Sequence, residues 1–351
     1  MLGRLLVPVW NASERRLRAP WRLLLFAAAL ALVGAGGAFA LRNAPPALVA
    51  SVSRVVPPDA LASPAVRLAV GYVVGAVVLT ALTVLAAVAV DRRPVSDYGL
   101  ALDRDWWLDC GFGLALGAAL MTLVFAVEYA AGWVTVAGRF RTSGPLAFAE
   151  AFLTAVVLTV AVGFAEELLV RGYVLTNVAE GFRAFGDRAA VAVAVLASSA
   201  LFGVLHATNP NATAASTVAL GLGGVLLALG YVLTGDLAIP IGLHVTWNLF
   251  QGPVYGFPVS GGDLGVSVLV VTQRGPPVAT GGAFGPEAGL VGIGAIVLGA
   301  VAIAAYVRRR YGSLSLAPLA VPRLRWWRWA RPTERADGAR GTVEGPGDGP
   351  D

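Results

Sequence analysis

Long runs of apolar residues, separated by short polar or arginine-bearing segments, dominate this chain. A helix needs about 20 apolar residues to cross a hydrocarbon core of roughly 30 Å. Eight runs meet or approach that length, at about 23–41, 68–90, 107–127, 147–178, 189–207, 214–233, 237–255 and 288–307. The fourth is longer than a span needs, so its C-terminal turns are expected to emerge from the membrane. Pro240, Gly242, Gly252 and Pro253 interrupt the seventh. Backbone groups in lipid must be satisfied internally, so short loops joining such runs predict an all-α, polytopic transmembrane helical bundle. The Gly-rich stretch of about 256–287 reads as an irregular external loop, and no internal repeat is visible.

The polar residues between the runs set an orientation. With the N-terminus inside, the inner segments carry Arg4, Arg15, Arg16, Arg18, Arg22, Arg92, Arg93, Arg104, Arg183 and Arg188, followed by Arg308 to Arg310 and the tail. The outer segments carry Arg42, Arg54, Arg67, Arg139, Arg141 and Arg274. This bias predicts cytoplasmic termini in a prokaryotic cytoplasmic membrane. The expected domains are a cytoplasmic segment 1–22, a bundle 23–310 with its motif core at about 105–255, and an Arg/Trp-rich interfacial segment and disordered tail over 311–351. "AFA" at Ala38–Ala40 resembles a cleavage site, but the run before it exceeds the 7–15 residues of a usual signal h-region, so it reads as an anchor.

Composition agrees with a membrane class. Of 351 residues, 57% are hydrophobic and 13% charged, against about a quarter charged in soluble domains. All the basic residues are Arg, and they sit between apolar runs, so the net charge of +5 does not point to nucleic acid. A single cysteine, Cys110, excludes an intramolecular disulfide and a thiolate metal cluster. Histidine is scarcer still, with only His206 and His244.

Those two histidines fall within the apolar runs, as do Glu166, Glu167 and Arg171. A charge near a bilayer centre costs at least ~2.5–3.5 kcal/mol, and such residues default to function. Glu167 and Arg171, Phe202 and His206, and His244 and Asn248 are each four residues apart, so each pair shares one helix face. Glu166 and His206 are each 20 residues from Gly186 in the "EGFRAFGDR" turn, so an antiparallel hairpin brings them to one depth. His244 follows the sixth run too closely to reach that depth by helix alone. An extended "TGDLAIPIG" would supply the rise. Glu128, near the outer end of the third run, is expected at the interface and inert.

A glutamate in a low-dielectric cavity makes a general base towards water, and a neighbouring histidine can share its proton. His244 and Asn248 can donate to a developing oxyanion, while Arg171 neutralises Glu167. One Glu and two His, here Glu166, His206 and His244, also suit a zinc site with an open water position. Both arrangements hydrolyse an acyl bond. The other class of reading is a non-catalytic membrane protein, either a proton-coupled transporter or an immunity-type binding scaffold that keeps the cluster for structure. Confinement of the polar residues to runs four to seven speaks against an inverted-repeat transporter.

"EELLVR" at Glu166–Arg171, "FGVLH" at Phe202–His206 and "HVTWN" at His244–Asn248 match EExxxR, FxxxH and HxxxN in order. They resemble the motifs of the CPBP intramembrane proteases, the family of CAAX prenyl endopeptidases and of bacteriocin-processing and abortive-infection (Abi) proteins. "LDCGFGLALG", Leu108 to Gly117, is similar to the Gly-rich span before the core in bacterial members. The resemblance implies an endopeptidase acting on a peptide or protein substrate, of membrane-associated or prenylated type, at the lipid bilayer. It implies Glu166 as the water-activating base aided by His206, His244 and Asn248 at the oxyanion, and Glu167, Arg171 and Phe202 as structural support. A metal-dependent form using a divalent ion such as zinc and a metal-free form are both implied for the family.

Overall fold

The computed structural model describes residues 9–42 and 64–324. The Trp/Arg segment from Arg325 on, the tail, Arg4 and Arg54 lie outside these residues. Seven described helices are long and apolar enough to cross a membrane. These are α1 (Ala19–Arg42), α2 (Pro64–Leu85), α3 (Arg104–Ala130), α4 (Phe148–Glu167), α6 (Asp187–Leu205), α7 (Ala214–Thr234) and α10 (Leu290–Tyr311), the last preceded by the short α9 (Pro277–Thr280). A π-helical stretch, Leu168–Leu175, carries α4 on into α5 (Thr176–Gly181), so this fourth run is a single helical rod of 34 residues. The chain is an integral membrane helical bundle.

The interrupted seventh run differs from the others. It forms α8 (Ala238–Leu249), extended by a π-helical turn Phe250–Val254. Every residue from Ala238 to Trp247 is buried, on all faces. Because α8 is sheathed by protein rather than lipid, it need not match the bilayer in length or tolerate no proline. It reaches the required depth without an extended lead-in. Leu237 is fully buried and its N–H donates to the Gly99 carbonyl, so the helix starts well inside the bundle, at the level of Gly172.

The Gly-rich character of α3 explains how α8 is held. A Cβ on Gly113 would overlap the Ile239 carbonyl, and one on Gly117 the Leu243 carbonyl. Without side chains there, the two backbones run side by side, and the Thr246 hydroxyl donates to the Leu114 carbonyl at 2.8 Å. Small residues permit this approach between helices in lipid. Gly117→Val is therefore expected to lower the melting temperature in detergent markedly, by an overpacking cost of about 1–3 kcal/mol. Gly111→Val, where nothing lies within 4 Å, is the control; equal melting of the two would contradict this packing.

One end of the bundle is locked by charge. Glu180 meets Arg16 at 2.8 Å and both Arg22 and Arg93 at 2.6 Å. Asp91 accepts from Tyr98 at 2.6 Å and Asn177 at 2.7 Å. Arg310 pairs with Asp105 at 2.7 Å, and Arg323 with Asp97 at 3.0 Å. Both described ends of the chain thus gather here. Asp109, within α3, accepts from Tyr306 and Tyr311 of α10, each at 2.7 Å.

The opposite end corrects two expectations. The Gly-rich stretch is not wholly irregular: β4 (Val266–Gln273) pairs antiparallel with β3 (Val134–Thr142), with a register shift between Val136 and Gly138. A second, minimal ribbon joins β1 (Trp10–Asn11) to β2 (Arg16–Leu17) at the charged end. Glu128, expected at the interface and inert, is fully buried in protein and accepts from the Gln273 side chain at 3.0 Å, tying β4 to α3.

Candidate functional site

Glu166 and Glu167 are the last two residues of α4, where the α-helical ladder gives way to the π-helical stretch. Such widened turns interrupt regular helices mostly at functional positions. Here the two carboxylates point into different surroundings. Glu167 is fully buried, and its Oε1 accepts from Arg171 Nη1 and from His244 Nδ1, both at 2.8 Å. Glu166 keeps a side chain 29% exposed, and its Oε2 has no hydrogen-bond partner in the protein.

Arg171, itself fully buried, is satisfied on three sides. Besides Glu167, it donates to the Gly224 carbonyl at 3.3 Å and lies 4.2 Å over the Phe202 ring. That approach depends on Gly224, where a Cβ would crowd Ser199 and the guanidinium. Phe202 then presents its edge to His244, with centroids 5.9 Å apart, and packs against His206 at 4.7 Å. The aromatic residue of FxxxH is thus the wedge that spaces the cation from both imidazoles.

Both histidines have one nitrogen committed. His206 caps the end of α6, and its Nδ1 donates to the Phe202 carbonyl at 2.7 Å. His244 commits Nδ1 to Glu167, which leaves its Nε2 3.9 Å from Glu166 Oε2. That gap is too long for a direct hydrogen bond. In each ring Nε2 is the free nitrogen.

Glu166, Phe202, His206, His244 and Asn248 line one cavity of about 580 Å³. Glu167 and Arg171 stand behind it. The hairpin geometry read from the spacing about Gly186 therefore brings Glu166 and His206 to the same chamber. A cleft of about 400 Å³ between α2 and α4, lined by Gly71, Tyr72 and Gly75, also reaches Glu166. As placed, the described residues gather no set of three His, Cys, Asp or Glu side chains in metal-holding proximity. Glu166, His206 and His244 do not converge tightly enough to fit zinc in this arrangement.

The cavity has a roof that the sequence did not reveal. Residues 259–264 cross it between α8 and β4. Glu287 holds this roof by accepting from the Ser260 N–H at 2.6 Å and from the Gln251 side chain. Asn209 donates to the Ser260 carbonyl at 3.0 Å, and Arg141 forks onto Asp263 at 2.6 and 2.9 Å. Burial pushes the Glu287 carboxyl up to about 7, against the Ser260 N–H and the Gln251 amide, which favour its charged form. The only advance signals were Asn209 beside His206 in "HATNPN" and a lone acid in an apolar stretch.

No curated protein and no solved structure matches this chain. Residues 148–250 match the family described as Rce1-like, Type II CAAX prenyl endopeptidase. This stretch contains all three motifs and every residue just placed on or behind the cavity, apart from its roof. Residues 148–250, within the motif core, are thus similar to the CAAX-type intramembrane proteases of the Rce1-like family, and they are set in an integral membrane helical bundle.

Proposed function

We propose that the protein is an intramembrane endopeptidase in which Glu166 activates a water molecule against a peptide bond of a membrane-associated substrate. The observation that carries this reading is the unequal partnering of the adjacent carboxylates. Glu167 is held through Oε1 by Arg171 and His244, whereas Glu166 has no hydrogen bond to either group and lines a chamber large enough for a peptide segment; the buried Oε2 of each carboxylate has no partner.

Glu166 takes a proton from the water as its oxygen bonds to the carbonyl carbon, a general-base step. His206, its Nδ1–H held by the Phe202 carbonyl, presents the Nε2 lone pair to that water or its proton. Negative charge moves to the carbonyl oxygen. The amide of Asn248 donates to it, as does the Nε2–H of His244 in its doubly protonated form, whose charge Glu167 balances from behind. On collapse the C–N bond breaks, and Glu166 returns the proton to the leaving amine. Glu167 acts here as a positioning residue, since it fixes which nitrogen of His244 faces the reaction.

Mapping of protein termini in the membranes of cells carrying wild-type or Glu166→Gln protein tests this reading. New termini are expected with the wild type, and uncut precursors with the variant. Identical termini in both would leave the non-catalytic scaffold as the better account.

A further inference from the structure

We infer that the cavity is sealed from the arginine-rich end of the bundle and opens toward the opposite face, so that the substrate is a polypeptide segment on the extracytoplasmic side of the membrane. The substrate half of this statement rests on the endopeptidase reading; the sidedness half does not.

The seal is visible along one rod. Glu167 and Glu180 lie on the same helical run, about 20 Å apart at 1.5 Å per residue. The interval is solid: Tyr173, Leu175, Tyr231, Leu237 and Ile239 are all fully buried. Below them stands the layer of Glu180 with Arg16, Arg22 and Arg93.

Toward the other end the walls change character. Helix α6 stops at Leu205, and the chain turns back through residues 206–213 at the level of the cavity. What covers the chamber is irregular backbone, with half-buried Asn209 and Ser260 and a 59% exposed Asp263. Irregular backbone at membrane depth is tolerated where it is buried in protein or lines a water-filled cavity. The cleft between α2 and α4 enters from this same half, because Gly71 and Gly75 lie in the part of α2 remote from Asp91.

Charge assigns the two ends to the two sides of the membrane. The arginines of residues 15–22, 92–104, 183–188 and 308–310 belong to the sealed end, twelve among the described residues, and those at the opposite end are Arg42, Arg67, Arg139, Arg141 and Arg274. Arginine in short segments flanking spans marks the cytoplasmic side. A cytosolic chain terminus anchored at the inner leaflet would therefore meet the closed end, whereas a segment emerging at the outer leaflet meets the roof.

Two single-cysteine proteins made in a Cys110→Ala background test the sidedness. Thr208→Cys, in the exposed turn beside the cavity, is expected to react with a membrane-impermeant maleimide on intact bacterial cells. Phe185→Cys, 74% exposed in the arginine-bearing turn, is expected to react only after permeabilisation. The reverse pattern overturns the inference while leaving the endopeptidase reading untouched. In the terminus comparison, fragments dependent on Glu166 should be cut on the extracytoplasmic side of their spans. Glu166-dependent cuts on the cytoplasmic side overturn the substrate half. Cuts that persist in Glu166→Gln overturn the endopeptidase reading and leave the labelling result standing.

Discussion

Glu166→Gln is expected to abolish cleavage, lowering the single-turnover rate by about 10³-fold or more, since positioned general bases contribute about 10²–10⁴-fold. The same substitution should leave membrane abundance and melting in detergent at wild-type levels. Glu166 Oε2 makes no hydrogen bond within the protein, so an isosteric amide removes proton affinity without breaking a structural tie. The side chain is also partly exposed, so its charge is not buried against a single partner. Purified wild-type and variant protein, in matched liposomes with one substrate, give both readouts. Cleavage by the variant within about tenfold of the wild type, below the general-base range, would remove Glu166 from the role of base.

Glu167→Ala should do the opposite and strike the fold first. It leaves Arg171 fully buried without its carboxylate, and breaking one side of a buried pair costs about 3–5 kcal/mol. Much of the protein is then expected to be lost from the membrane fraction. The paired change Glu167→Leu with Arg171→Met removes both charges together, and well-packed apolar replacements of buried pairs are often neutral or stabilising. Abundance is expected to return in the pair. Activity is not, because His244 has lost the oxygen that holds its Nδ1–H at 2.8 Å. An active double variant would show that His244 needs no orientation from Glu167. A well-folded but inert Glu167→Ala protein would reverse the two carboxylates.

How much of this was readable beforehand differs between particular residues. The spans were legible because lipid offers the backbone no hydrogen bonds, which forces long apolar runs into helices. The pairs Glu167–Arg171 and Phe202–His206 were legible because a helix fixes their spacing locally. Glu166 and His206 could be set at one depth because a single turn joins their helices. The second partner of Glu167 was not legible: His244 lies 77 residues away, and its apolar run carries no local signal of which carboxylate it meets. Nor was the ring of arginines about Glu180, where Arg16 arrives across a separation of 164 residues. The β3–β4 ribbon was hidden for the same reason, since a strand in a two-stranded ribbon is defined by a partner far along the chain.

The sequence by itself determined that this protein lives in a membrane, where seven of its eight apolar runs form long apolar helices, and which few ionisable groups sit among apolar neighbours, because each of these follows from local composition and helical repeat. Only the tertiary structure decided which glutamate is tied and which is free, where α8 begins, and what roofs the chamber. Those outcomes depend on contacts between distant segments, where glycines on α3 and α7 let backbones close to distances that no local pattern encodes.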